Sequence, residues 1–303
     1  MDGGWLLTVS EWQPSLPLWA PTALQTRAEA WAIAHPEFVG RGGGVLGCSG
    51  LTVGKHFQVP PQVSMVFKIC SEHVRHGGDV VYIETHAGNM LYSKDGELMI
   101  GTGALVLEEL DHLAVFAQEG FKYRAYFCER RTKAAAQARA NLEGLQVGKC
   151  AQTVEVFAER CQGVIPQLAR RLRLGTRGVL FIDPNGLPPA DAMAWSRMSS
   201  LHNVDFVFWL DMDTGRRYRN LKTEGRLTWH VDSPNFQGDT RPLTDIFDSM
   251  QKRCWVVREP FKLRGHKRTV VIGSNWPGFP VWRKQGYWRK DEPEGQAILE
   301  QAS

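Results

Sequence analysis

Between residues 80 and 213 the chain repeats one pattern. A short apolar run ends at a polar break, and a longer stretch follows whose apolar positions recur every three or four residues. The runs "DVVYIET", "KYRAYFCER", "TVEVFAE", "RGVLFIDPNG" and "VDFVFWLDMD" are each built around a short stretch of apolar, β-branched and aromatic text, the signature of buried strands. The stretches between them, "GTGALVLEELDHLAVFAQEG", "RRTKAAAQARANLEGL", "QGVIPQLARRLRL" and "PPADAMAWSRMSSL", predict helices. Strands alternating with helices at this spacing imply βαβ units and a mostly parallel sheet with helices on both faces.

The expected fold class is therefore α/β, a Rossmann-like doubly wound, mostly parallel sheet. The flanks differ from this middle. Residues 1–50 read as an N-terminal extension, dense in tryptophan (Trp5, Trp12, Trp19, Trp31), with one predicted helix ending near Pro36 and a glycine-rich joint over 40–47. From residue 60 a helix opens on proline, with Val63, Val66, Phe67 and Cys70 as its apolar stripe, and stops at Gly77-Gly78. Residues 51–235 are expected to form the main domain. Residues 236–303 form a C-terminal extension that holds "RTVVIG", turn residues and many aromatics.

Composition narrows the class. The chain has 303 residues, 43% hydrophobic, with a formal net charge of +4. That allows a sizeable core and permits nucleic acid as a partner without requiring it. No apolar run approaches the ~20 residues of a membrane span. The first residues lack the basic start and apolar stretch of a signal peptide. The six cysteines form no CxxC pair, which suits reduced thiols and gives no metal ligand set. A cytoplasmic protein without a membrane or metal is expected.

Ligands of such sheets bind beyond the carboxyl ends of the strands. The first strand ends in Glu84 and runs into "THAGNM", which supplies Thr85, His86 and Gly88. The second ends at Glu129, the third near Glu159, and the fourth in "DPNG", with Asp183, Pro184 and Asn185. Each has work to do around an adenosine-type cofactor. Glycine lets backbone approach, and an acid ending the second strand accepts ribose hydroxyls. A carboxylate followed by proline can accept hydrogen bonds from an amino group and so orient its lone pair. As plain structure, the glycine is a turn and Asp183 a helix cap.

This ordered set resembles the class I S-adenosylmethionine-dependent methyltransferases. The local pattern, with Lys55-His56, "YIETHAG" and "FIDPNG", looks like that of the three-Cys-motif partner proteins. More distantly it is similar to the ribosomal RNA adenine-N6 methyltransferases. The likeness covers roughly residues 54–220. It implies S-adenosyl-L-methionine as cofactor, held by Lys55, His56, Glu84, Thr85, His86, Gly88, Glu129, Glu159 and Asp183. It also implies catalysis by Asp183, Pro184 and Asn185 on an amino nitrogen of a nucleic-acid base. Two departures stand out. Asn185 and Gly186 replace the Pro-aromatic pair with which amino-methyltransferases of nucleic acid stack the flipped base. In "FAERC", Glu159 is followed by Arg160 where the adenine is expected.

The tail adds a candidate nucleic-acid surface, in which Trp282 and Trp288 stack on bases while Arg283, Lys284, Arg289 and Lys290 meet phosphates. Its plain alternative is a strand whose tryptophans pack on the sheet. Two rival functions remain: a non-catalytic module that keeps the fold and binds nucleic acid or a protein partner, and a nicotinamide-dependent oxidoreductase. The absence of GxGxxG opposes the second.

Overall fold

The computed structural model describes residues 22–41, 80–94, 97–116, 122–183, 202–211, 250–263, 266–276 and 283–302, with Arg197, Phe247, Asp248 and Val281. Lys55, His56, Pro184, Asn185 and Trp282 lie outside the described residues. So do the glycine-rich joint beyond residue 41, the helix expected from residue 60, and all but Arg197 of the helix expected over 188–201.

Five strands form the parallel heart of the sheet: β2 (Val80–Glu84), β5 (Tyr123–Cys128), β6 (Ala151–Phe157), β7 (Arg177–Ile182) and β8 (Val204–Asp211). They lie in the order β6-β5-β2-β7-β8. Counted along the chain this is 3-2-1-4-5, the doubly wound order, which reverses beside β2. Beyond β8 the sheet turns antiparallel through β11 (His266–Ser274), β9 (Cys254–Arg258) and β12 (Tyr287–Arg289), with the short β10 (Phe261–Leu263) also paired to β11.

Two cores explain the unbroken apolar text. Along β2, Val80 and Tyr82 join one cluster and Val81 and Ile83 the other, because successive side chains point to opposite faces. Both faces are covered, so every β2 position is buried. On the first face lie α1 (Thr22–Ala34), α2 (Thr102–Phe116) and α3 (Thr132–Gly144); on the second lie α4 (Cys161–Arg171) and α5 (Pro293–Ala302). Phe208, Phe247 and Trp255 meet in the second core, with ring centroids 5.1 Å and 4.8 Å apart around Phe247.

The helix expected in the N-terminal extension packs into the first core through Leu24 and Ala28. Arg27 bonds Glu108 at 2.7 Å and the Leu145 carbonyl at 2.9 Å. The Asn141 amide, fully buried on α3, holds three segments together. Its Oδ1 accepts from Trp31 Nε1 at 2.9 Å, and its Nδ2 donates to the carbonyls of Phe38 and Asn89 at 3.0 and 2.6 Å. The stretch "LYSKDGELMI" is a hairpin of β3 (Leu91–Lys94) and β4 (Glu97–Ile100). With β1 (Gly40–Arg41) it makes a second, three-stranded sheet. Among the described residues, no helix is long and apolar enough to cross a membrane, and no group of three or more His, Cys, Asp and Glu could hold a metal.

Candidate functional site

The loop 85–88 is bonded to the strands on both sides of β2. The Thr85 amide donates to the Phe181 carbonyl of β7 at 3.1 Å, and the Ala87 amide to the Cys128 carbonyl of β5 at 3.0 Å. One strand further out, the Glu129 amide donates to the Phe157 carbonyl of β6 at 3.0 Å. These bonds set Glu84, Thr85, His86, Gly88, Glu129 and Asp183 along one edge, the carboxyl ends of β2, β5 and β7, where the strand order reverses. Glu159 follows β6 at the same edge and bears electrostatically on Cys128, as Glu84 does.

The acids differ in what surrounds them. Glu84 is buried; Tyr82 Oη donates to its Oε2 at 3.0 Å. A Cβ added to Gly103 would fall 2.7 Å from the same oxygen, so the carboxylate lies against the first turn of α2, where the helix dipole favours negative charge. Burial, then Glu84, raises the Tyr82 hydroxyl well above its ordinary pKa, and Asp183 contributes through space. That coupling brings Asp183, half-buried after β7, into the same cluster. Glu159 is exposed and lies over the first turn of α4, 1.9 Å from where a Gly163 Cβ would stand.

Glu129 is nearly buried and carries the densest set of donors. Its Oε1 accepts from the Arg131 amide at 2.9 Å and from Arg131 Nε at 2.8 Å, while its Oε2 accepts from an Arg131 terminal nitrogen at 3.3 Å. Burial alone would raise this carboxyl. The hydrogen bonds and charge of Arg131, with the Gly88 amide, outweigh it and hold the pKa below the ordinary value.

Gly88 has a reason of its own to be glycine. Its φ is +66°, and a Cβ there would sit 1.8 Å from the Tyr92 hydroxyl. That hydroxyl accepts from the Asn89 amide at 3.1 Å. The space a side chain would need is thus filled by this chain's own tyrosine. Thr85 Oγ1 and His86 Nδ1 are 2.7 Å apart, which fixes the imidazole beside the loop.

The tail residues find partners within the chain. Arg283 and the Arg289 amide both bond Glu292, Lys290 pairs with Asp248, and an Arg289 terminal nitrogen donates to Cys254 Sγ at 3.4 Å. Trp288 is half-buried, packs on the second core, donates to Glu259 Oε1 at 3.0 Å and lies 5.1 Å from the Arg283 guanidinium carbon. Lys284 is exposed. β12 is four strands from β7, on the order of 20 Å at the usual strand spacing. It also runs from Tyr287 opposite Arg258 to Arg289 opposite Val256, away from the carboxyl-end edge. Sequence reading did not single out Arg131, Tyr82 or Tyr92. Tyr82 was within reach: it lies two residues from an acid, on the same side of the strand.

No family model and no curated protein matches the chain. Solved structures that resemble it include the cofactor-bound Rv0187 of MTB, at 14% identity and a TM-score of 0.43, covering 87% of this chain and 99% of that one. A second is LPL1258 of Legionella pneumophila, at 12% and 0.42, covering 80% and 89%. A third is the delta-N METTL16 MTase domain, at 11% and 0.40, covering 86% and 100%. At these scores the function has to be argued from the chain's own residues.

Proposed function

We propose that the chain is an S-adenosyl-L-methionine-dependent methyltransferase acting on nucleic acid, on an amino nitrogen of a base. The observation that carries this reading is the 3-2-1-4-5 order of the parallel strands, with Glu129 closing strand two beside the Gly88 turn. The residues present suit the cofactor. Glu129, its charge held by neighbouring donors, would accept the ribose diol; Gly88 and its neighbours would line the amino-acid end; Glu159 would lie nearest the adenine. When bound, the cofactor supplies an electrophilic methyl group. Glu84 keeps the loop and α2 in register from inside. Asp183, one strand from Gly88, would accept a hydrogen bond from the acceptor amino group and aim its lone pair.

Support for a nucleic-acid acceptor lies nearer the crevice than in the tail. Arg130 and Arg160 are exposed just beyond the ends of β5 and β6, where cations meet phosphates. The test is calorimetry with S-adenosylmethionine and with a nicotinamide dinucleotide, followed by transfer of labelled methyl to total RNA, single-stranded DNA and free nucleosides. Asp183→Asn should keep cofactor affinity and lose transfer. A folded chain that binds only the dinucleotide refutes the reading. One that binds S-adenosylmethionine, yet methylates none of these acceptors, moves it to a binding module that retains the fold.

A further inference from the structure

The donors around Glu129 leave too few acceptor positions for a diol unless one of them moves. A carboxylate offers about four acceptor positions. Three are taken by Arg131: its amide and Nε on Oε1 at 2.9 and 2.8 Å, and its terminal nitrogen on Oε2 at 3.3 Å. A vicinal diol brings two O–H donors and needs two positions. The Arg131 amide belongs to the turn that opens α3 and cannot leave without unfolding it. The guanidinium can, because its side chain is 36% exposed and precedes α3 rather than lying within it.

We propose that Arg131 sets the affinity of this subsite by holding Glu129 until a ribose diol displaces its guanidinium. The inference rests on the cofactor reading above and deepens it. Two roles follow for one side chain. Arg131 keeps Glu129 ionised and in position, and it competes with the hydroxyls that the carboxylate receives. The longest of its three bonds, to Oε2, is the first to be exchanged. Once displaced, the guanidinium joins Arg130 at the rim, adding a cation next to the crevice.

The test is calorimetric titration of the parent, Arg131→Ala and Arg131→Lys with S-adenosylhomocysteine and with its 2′,3′-dideoxy analogue. Melting temperatures serve as a check on folding. A partly exposed ion pair is worth up to about 1 kcal/mol, so Arg131→Ala should bind S-adenosylhomocysteine about fivefold more tightly. Arg131→Lys, which keeps the charge without the fork, should fall between. The dideoxy analogue should show no gain, because it brings no donors to compete with Arg131. Equal or weaker binding by a folded Arg131→Ala overturns the proposal, as does an equal gain with the dideoxy analogue. In both cases binding by the parent leaves the cofactor reading intact. If neither the parent nor any variant binds either nucleoside, the cofactor reading falls and this proposal falls with it.

Discussion

Gly88 and Tyr92 make a pair whose energetics can be worked out from the geometry. Gly88→Ala places a methyl 1.8 Å from the Tyr92 hydroxyl, on a residue at φ +66°. The left-handed backbone costs an alanine about 1 kcal/mol. Tyr92 is only 6% exposed and cannot swing clear, so the overlap adds about 2 kcal/mol. Tyr92→Phe alone removes the acceptor of the Asn89 amide and leaves a buried N–H without a partner, about 2 kcal/mol. In the double variant the hard overlap is relieved, since the next atom, Tyr92 Cζ, lies 3.2 Å from the new Cβ, a tight contact that a shift of a few tenths of an ångström opens. The double should therefore lose about 3 kcal/mol, against about 5 for the sum of the singles, a favourable coupling of about 2 kcal/mol. Urea unfolding followed by tryptophan fluorescence measures all four corners. Additivity to within about 0.5 kcal/mol would refute the packing argument and return Gly88 to a purely ligand-related role.

At the opposite end of the sheet, Lys252 is buried, donates to the Val204 carbonyl at 2.7 Å and lies 4.6 Å from the Phe206 ring centre, beside Asp205. Burial pushes Asp205 up against the Ser274 hydrogen bond and the charges of Lys252 and Arg177, and pushes Lys252 down against the charge of Asp205. Lys252→Met should cost about 3 kcal/mol in urea, most of it recovered by adding Asp205→Asn; a Lys252→Met chain as stable as the parent would show that the pair carries no such charge. For Glu129 the sign is that of a lowered carboxyl: its contribution is present above the ordinary value of 4.5 and is lost as pH falls through the lower folded value. The stability gap between the parent and Glu129→Gln should hold at neutral pH and close in acid below 4.5, and a gap that widens there would contradict the Arg131 pairing.

The parallel strands were legible because their pattern is local. A strand covered on both faces is an uninterrupted apolar run, and each run ends where its acid begins, so Glu84, Glu129, Glu159 and Asp183 fell at the right edge from text alone. The β3–β4 hairpin was also within reach. Lys94 pairs with Glu97, and the two residues between them in sequence are Asp-Gly, a strong hairpin signal. Other features depend on residues far apart in the chain. Asn141 meets carbonyls 103 and 52 positions away, and nothing in an alanine-rich helix marks it as the residue that ties α1 to the loop. The tail shows the same division. Its cations could be counted in sequence, but Lys290 finds Asp248 across 42 residues, and only the fold reveals that this charge already has a counterion.

The acids at the crevice show why position and availability are separate questions. Position follows from the strand's end, which the apolar run determines. Availability follows from whatever donor the same extended segment aims at the carboxylate. Glu84 receives Tyr82 from two residues before it, and Glu129 receives Arg131 from two residues after it. Tyr82 and Glu84 share one side of β2, whereas Arg131 stands two residues past Glu129 at the N-cap of α3. The Tyr82 donor lies inside the core and stays on Glu84. The Arg131 donor is at the rim, charged and partly wet, so exchanging it for hydroxyls costs far less than exchanging a buried phenol. The same spacing therefore leaves one carboxylate held by a core phenol and the other by a rim guanidinium, and depth in the sheet decides which.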